Sequence, residues 1–216
     1  MKNLDVIALG ELLIDFTENG FSANGNPLLE ANPGGAPCNV LAMLQNLGKK
    51  TAFIGKVGKD AFGDYLKDTV CQAGIDVTNL IQDAAVPTTL AFVHTAADGD
   101  RSFSFYRDPG ADMMLSESEI DYNQITDAKI FHFGTLSMTH DGVRAATIKA
   151  VDYAKEHGLL ISFDPNYRPF LWKKEETAKE MMRYGCEICD ILKISDDEIT
   201  FITGKDTVEA AIPEFR

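Results

Sequence analysis

Lys129-Ile130-Phe131-His132-Phe133, then the helix-period segment Thr139 to His157 stopped by Gly158, then Leu159 to Phe163: this run decides the fold. Two short apolar stretches of strand length with a long helix between them make a strand–helix–strand unit, and such units build a mainly parallel sheet. The unit repeats downstream, where Glu175 to Tyr184 reads as a helix and Ile188 to Ile194 as the next strand. Upstream, Val6 to Leu9 reads as the first strand. Pro37 to Leu47 reads as a helix, because Pro suits a first helical position, Val40, Leu41, Leu44 and Leu47 form one apolar stripe, and Gly48 stops it. Thr51 to Ile54 is a strand and Asp60 to Ala73 a helix ended by Gly74. The expected class is α/β, doubly wound.

Two stretches break this rhythm. Leu12 to Ala31 alternates loosely around Gly20, Gly25 and Pro27, while Thr88 to Thr95 and Arg101 to Tyr106 read as a hairpin turning at Asp98-Gly99. Neither carries a helix between strands. The expectation is a small accessory sheet, formed by about residues 12–35 and 86–112 and inserted in the α/β body, that acts as a lid.

Composition sets limits on function. The 216 residues carry 33 acids and 20 bases, a net charge of −13, with no basic cluster of the kind that displaces counterions from nucleic acid. No apolar run approaches the roughly 20 residues that span a bilayer, and the start of the chain shows no secretory pattern, so the expected location is the cytoplasm. Cys38, Cys71, Cys186 and Cys189 are expected to be reduced and mostly buried; the Cys186-x-x-Cys189 pair has no second pair with which to hold zinc.

Six motifs carry chemistry, and each also has a plain structural reading. Asp15, just beyond the first strand, is placed where doubly wound folds bind ligands and can accept from two neighbouring hydroxyls; it can equally be a turn residue. Gly34-Gly35 before a helix lets backbone N–H groups approach a ligand, with Asn39 one turn inside, or simply makes a tight turn. Gly55-Lys56-Val57-Gly58-Lys59-Asp60 lacks the phosphate-loop spacing, and Asp60 reads as a helix cap. Alternation places Phe103, Phe105 and Arg107 on one strand face, an apolar wall ending in a cation. Asp164-Pro165-Asn166-Tyr167-Arg168-Pro169 follows a strand as a stiff polar cluster, and Arg168 suits a phosphate oxygen or an acidic substrate group. Lys193-Ile194-Ser195-Asp196-Asp197-Glu198 fits a capping box, and its acids also suit the waters of a nucleotide-bound Mg²⁺.

In this order the motifs resemble the ribokinase-like (PfkB) carbohydrate kinases, closest to the fructokinase branch, across essentially the whole chain. The resemblance implies a doubly wound, Rossmann-like body with a β-sheet lid, and transfer of the γ-phosphate of ATP to a sugar hydroxyl with Mg²⁺. It implies sugar contacts from Asp15, Gly34, Gly35 and Asn39, and substrate-side contacts from Phe105, Arg107, Asp164, Asn166 and Arg168. It further implies nucleotide contacts from Lys193 and Ser195, with Glu198 reaching the metal through water. Ser195 stands where many relatives have Asn.

One departure from the family pattern dominates. Its second signature, Gly-Ala-Gly-Asp, which carries the general base and the anion hole, does not occur in the 216 residues. The expectation is an incomplete ribokinase-like domain with no catalytic residue of its own and no turnover, either a fragment or a naturally short protein. Fructose is the expected substrate of the parent activity, and a 2-keto-3-deoxy sugar acid the alternative. A non-catalytic sugar-binding or sensor protein is the rival class. A homodimer formed through the lid is the expected assembly.

Overall fold

The computed structural model describes residues 2–95 and 101–215. β1 (Leu4–Leu9) shows why the main sheet is covered on both faces. Successive side chains point to opposite sides, so Ile7 and Leu9 enter one core while Val6 and Ala8 enter another. After β1 the chain makes β2 (Leu13–Phe21) and β3 (Pro27–Gly34), then α1 (Ala36–Asn46), β4 (Thr51–Gly58), α2 (Ala61–Gln72) and β5 (Asp76–Asp83). There follow β6 (Leu90–Thr95), β7 (Arg101–Tyr106), the short α3 (Tyr122–Thr126) and β8 (Ala128–Gly134). α4 (Asp141–Glu156), β9 (Leu160–Asp164), α5 (Glu175–Ile188), β10 (Ile191–Leu192), α6 (Asp196–Thr203) and α7 (Val208–Ala211) complete the order.

The main sheet runs β10-β9-β8-β1-β4-β5 with every neighbouring pair parallel. On one face α4 lays down Val143, Ala146, Thr147, Ala150, Val151 and Ala154, the helical repeat of a buried stripe, beside Met181 of α5. On the other face α1 and α2 supply Cys38, Leu41, Leu66 and Val70. The Asp60 carboxylate caps α2 by accepting from the N–H groups of Phe62 (3.1 Å) and Gly63 (2.8 Å). From β1 the chain builds outward through β4 to β5, then returns to β1's other side with β8 and builds outward to β10. The strand order therefore reverses between β1 and β8, and the crevice beyond their carboxyl ends is where such sheets hold ligands.

A second, mixed sheet of order β3-β2-β6-β7 is rooted at that same edge, since only residues 10–12 separate β1 from β2. β2 pairs antiparallel with β3 and parallel with β6, and β6 pairs antiparallel with β7. Phe16 stacks on Phe92 at 5.0 Å and meets Phe62 of α2 edge-on at 5.6 Å, which fixes one face of this sheet against the body. The Asp98-Gly99 turn lies outside the described residues.

Three elements differ from expectation. β5 was not foreseen, because Asp76, Thr78, Asn79, Gln82 and Asp83 hide its strand pattern. The expected strand Ile188 to Ile194 shrinks to two residues, since α5 continues through Ile188. Lys56, in the loop-like motif, is instead a buried residue of β4, paired with Asp83 (3.1 Å) and Glu119 (2.7 Å). Among the described residues no helix is long and apolar enough to cross a membrane.

Candidate functional site

A cleft of about 230 Å³ opens at the carboxyl ends of β1, β8 and β9 and is walled by the second sheet. Its lining includes Glu11, Asp15, Gly35, Asn39, Phe103, Phe105, Asn166 and Arg168, with Leu136 from the turn after β8. Elements far apart in the chain thus converge on one small volume.

Each side is built by local chemistry. Asp15 lies on β2 opposite Asn32, half-buried, and burial raises its carboxyl pKa while Arg168 opposes the rise. Gly34 backs that carboxylate: a Cβ there would occupy the position of Asp15 Oδ2. Gly35 has φ 127°, a conformation that favours glycine, and a Cβ on it would strike the Glu11 carbonyl. α1 therefore starts with no side-chain cap on Gly35; instead Glu11 Oε1 accepts from the Ala36 N–H at 2.8 Å. Asn39, one turn on, is exposed at the cleft.

The opposite wall comes from β7 and the segment after β9. Phe103 and Phe105 share a strand face with ring centroids 6.2 Å apart, and the Arg168 guanidinium lies 6.0 Å from the Phe103 centroid. Asn166 adopts φ 44°, a left-handed conformation that Asn tolerates better than most residues. Asp164 supports it by accepting the Asn166 N–H at 3.2 Å and the Lys193 ammonium at 3.3 Å. A carboxylate, two amides and a guanidinium beside aromatic faces are the donors, acceptors and apolar surface that a polyol needs.

Gly34, which backs Asp15, and Arg107 and Asp164 do not line the cleft; nor do Lys193, Ser195 and Glu198, which were expected on the nucleotide side. β7 ends at Tyr106, so the alternation that should carry Arg107 beside Phe105 stops one residue short. The Arg107 guanidinium turns inward and is buried with Asp112, donating through Nε at 2.8 Å, and it also bonds Thr139 Oγ1 (2.9 Å) and the Leu136 carbonyl (3.0 Å). Asp164 lies behind Asn166 and does not line the cleft. Lys193 is an exposed partner of Asp164. Ser195 caps α6 in a reciprocal box with Glu198, the structural reading of that motif.

Glu198 is buried, and both its oxygens are engaged: Oε1 by the Tyr167 N–H at 2.7 Å, Oε2 by the Ser195 N–H and Oγ at 2.8 Å. Among the described residues no three His, Cys, Asp or Glu side chains converge to hold a metal. A nucleotide-bound Mg²⁺ met only through water, the contact expected of Glu198, needs no such cluster. Sequence reasoning also passed over Glu11 and Leu136. The only available signal for Glu11 was an acid directly beyond a buried strand at the ligand edge of the sheet.

Comparison with known proteins places these features in a family. The sequence matches the pfkB family carbohydrate kinases over residues 3–214. It is 41% identical over 206 residues to fructokinase-2 of Solanum lycopersicum, covering 94% of this chain and 63% of that protein. It is 42% identical over 206 residues to fructokinase-1 of Oryza sativa subsp. japonica, covering 94% and 64%. The chain thus spans less than two thirds of these relatives' length. Among solved structures, the fructokinase of Xylella fastidiosa superposes with a TM-score of 0.90 at 33% identity, covering 97% of this chain and 66% of that one. A second structure of that enzyme, with bound ATP, gives a TM-score of 0.87 over 97% and 64% at the same identity. With a doubly wound sheet, a mixed second sheet and a polar cleft where the strand order reverses, this chain belongs to the pfkB family of carbohydrate kinases.

Proposed function

We propose that this chain is the sugar-binding part of a kinase that transfers the γ-phosphate of ATP to a hydroxyl of a ketohexose, with fructose the first choice. The observation that carries this reading is the approach of Asp15 and Arg168 to one cleft, with Asn39 and Asn166 beside them and Phe103 and Phe105 as its wall. Partial burial of Asp15 makes its hydrogen bonds to sugar hydroxyls stronger than they would be in open water. The second sheet then acts as a lid, excluding water while the sugar is held. The names of the relatives and the ATP-bound neighbour support the substrate and the nucleotide.

Phosphoryl transfer depends on positioning and charge stabilisation. Here Asp15, Asn39, Asn166 and Arg168 bind and orient the sugar. The Gly-Ala-Gly-Asp stretch that would supply the base and the anion hole is not among the 216 residues. The 216-residue chain should therefore bind fructose without phosphorylating it, whereas a longer form carrying that stretch should do both. Calorimetric titration with fructose and a coupled ADP assay on both forms test this. Absence of fructose binding by either form would sink the reading.

A 2-keto-3-deoxy sugar acid is the second substrate reading. It is favoured by Arg168, which gives one N–H to the Tyr167 carbonyl at 3.0 Å and keeps other donors for a carboxylate. Parallel titration with such an acid separates the two. The edge strands β3 and β7 carry exposed Leu28, Leu29 and Tyr106, with exposed Phe21 at the end of β2 beside β3, which supports pairing of copies through the second sheet. Light scattering measures that directly.

A further inference from the structure

We propose that Glu11 is the positioning residue of the cleft: its carboxylate holds the first N–H of α1 in place, and loss of its charge weakens ligand binding there. This rests on the sugar-site reading above.

The geometry is specific. Glu11 is 2% exposed and lines the cleft. Its Oε1 accepts the Ala36 N–H at 2.8 Å, across 25 positions of sequence, at a helix start that has no side-chain cap of its own. The same helix carries Asn39 into the cleft, and Gly35 packs against the Glu11 backbone. The carboxylate therefore ties the segment after β1 to the start of α1, directly beside the Gly34-Gly35 turn that the β2–β3 pairing lays against Asp15.

The surroundings leave this group poised to change charge. Burial pushes the Glu11 carboxyl up to about 7, with Asp112 pushing the same way and the hydrogen bonds from the Glu11 and Ala36 N–H groups and the charge of Arg107 opposing. Arg107 and Asp112 are paired with each other, so together they approach Glu11 as a nearly neutral couple. The Cys38 thiol on α1 is pushed up by burial and by Glu11 itself, so it stays protonated. Asp15 and Arg168 share the cleft. Above neutrality Glu11 is ionised and its bond to Ala36 is charge-assisted; below neutrality it is protonated and that bond is the weaker neutral kind.

Two measurements on the 216-residue chain test the proposal. In ligand-free protein, the Ala36 amide resonance should titrate with a midpoint near neutrality and should not do so in Glu11→Gln. D-fructose affinity should fall about fivefold as pH drops from 8.5 to 5.5, in keeping with exchange of a charge-assisted for a neutral hydrogen bond. In Glu11→Gln only the shallower, more acidic dependence from Asp15 should remain. An Ala36 amide that does not titrate in the wild type overturns the proposal, and so does a fructose affinity that is flat over this range. A titrating amide with no fructose binding at any pH supports the hold of Glu11 on the helix while sinking the sugar-site reading. Both wild-type measurements decide without the variant, so a Glu11→Gln protein that fails to fold does not blunt the test.

Discussion

The starts of α1 and α6 both follow strands at the ligand edge, and both are closed by a glutamate, yet in different ways. α6 is closed from within: Ser195 and Glu198 satisfy each other's backbone groups inside one turn. α1 is closed from outside, by Glu11 on a distant segment, with Gly35 as a bare N-cap and the cleft directly beside it. A helix start that satisfies itself makes a joint; one that borrows its partner leaves main chain facing a ligand. The α6 box still reaches the cleft indirectly, because Glu198 also holds the Tyr167 N–H between Asn166 and Arg168.

Substitutions can break or sharpen this contrast. The largest expected loss is from Gly35→Ala, where a positive φ and a blocked Cβ position together cost about 3 kcal/mol of stability, read by urea unfolding. Gly204→Ala, at the C-terminal end of α6 with φ 69° and open space around it, should cost only about 1 kcal/mol. Glu198→Ala should cost about 2 kcal/mol by leaving the Tyr167 N–H and the cap unmatched, with a modest loss of fructose affinity. Asp15→Asn should leave the unfolding midpoint in place and weaken fructose binding about tenfold, the loss of one charge-assisted bond of about 1.4 kcal/mol. Ser195→Ala should cost about 1 kcal/mol of stability and nothing in affinity; a loss of affinity there as large as that from Asp15→Asn would erase the distinction between the two helix starts.

What was legible in the sequence follows the same contrast. The βαβ rhythm of residues 129–163 could be read because the core-facing stripe of α4 and the apolar run of β8 are local patterns. The Ser195-x-x-Glu198 box was legible because both of its partners lie within four residues. Asp15, Gly35, Asn39, Phe105, Asn166 and Arg168 were brought into one cleft as expected, although their roles there rest on the proposal above. Glu11 was not legible, because its partner Ala36 is remote and an acid directly beyond a buried strand does not by itself name that partner. β5 was missed because an edge strand needs only a few buried side chains, here Asn79 and Leu80, and can otherwise be polar. Arg107 was misplaced because a period of two holds only while the strand lasts.

The burial of Arg107 has a mechanical consequence. Its guanidinium joins the base of β7 to Asp112 and, through Thr139 and the Leu136 carbonyl, to the loop after β8. Removing one partner of such a buried pair costs about 3–5 kcal/mol, because the charge left behind is buried without its counterpart. The base of β7 is thereby riveted to the body through Asp112, Thr139 and the Leu136 carbonyl, and a substitution at Arg107 would loosen the second sheet at its root.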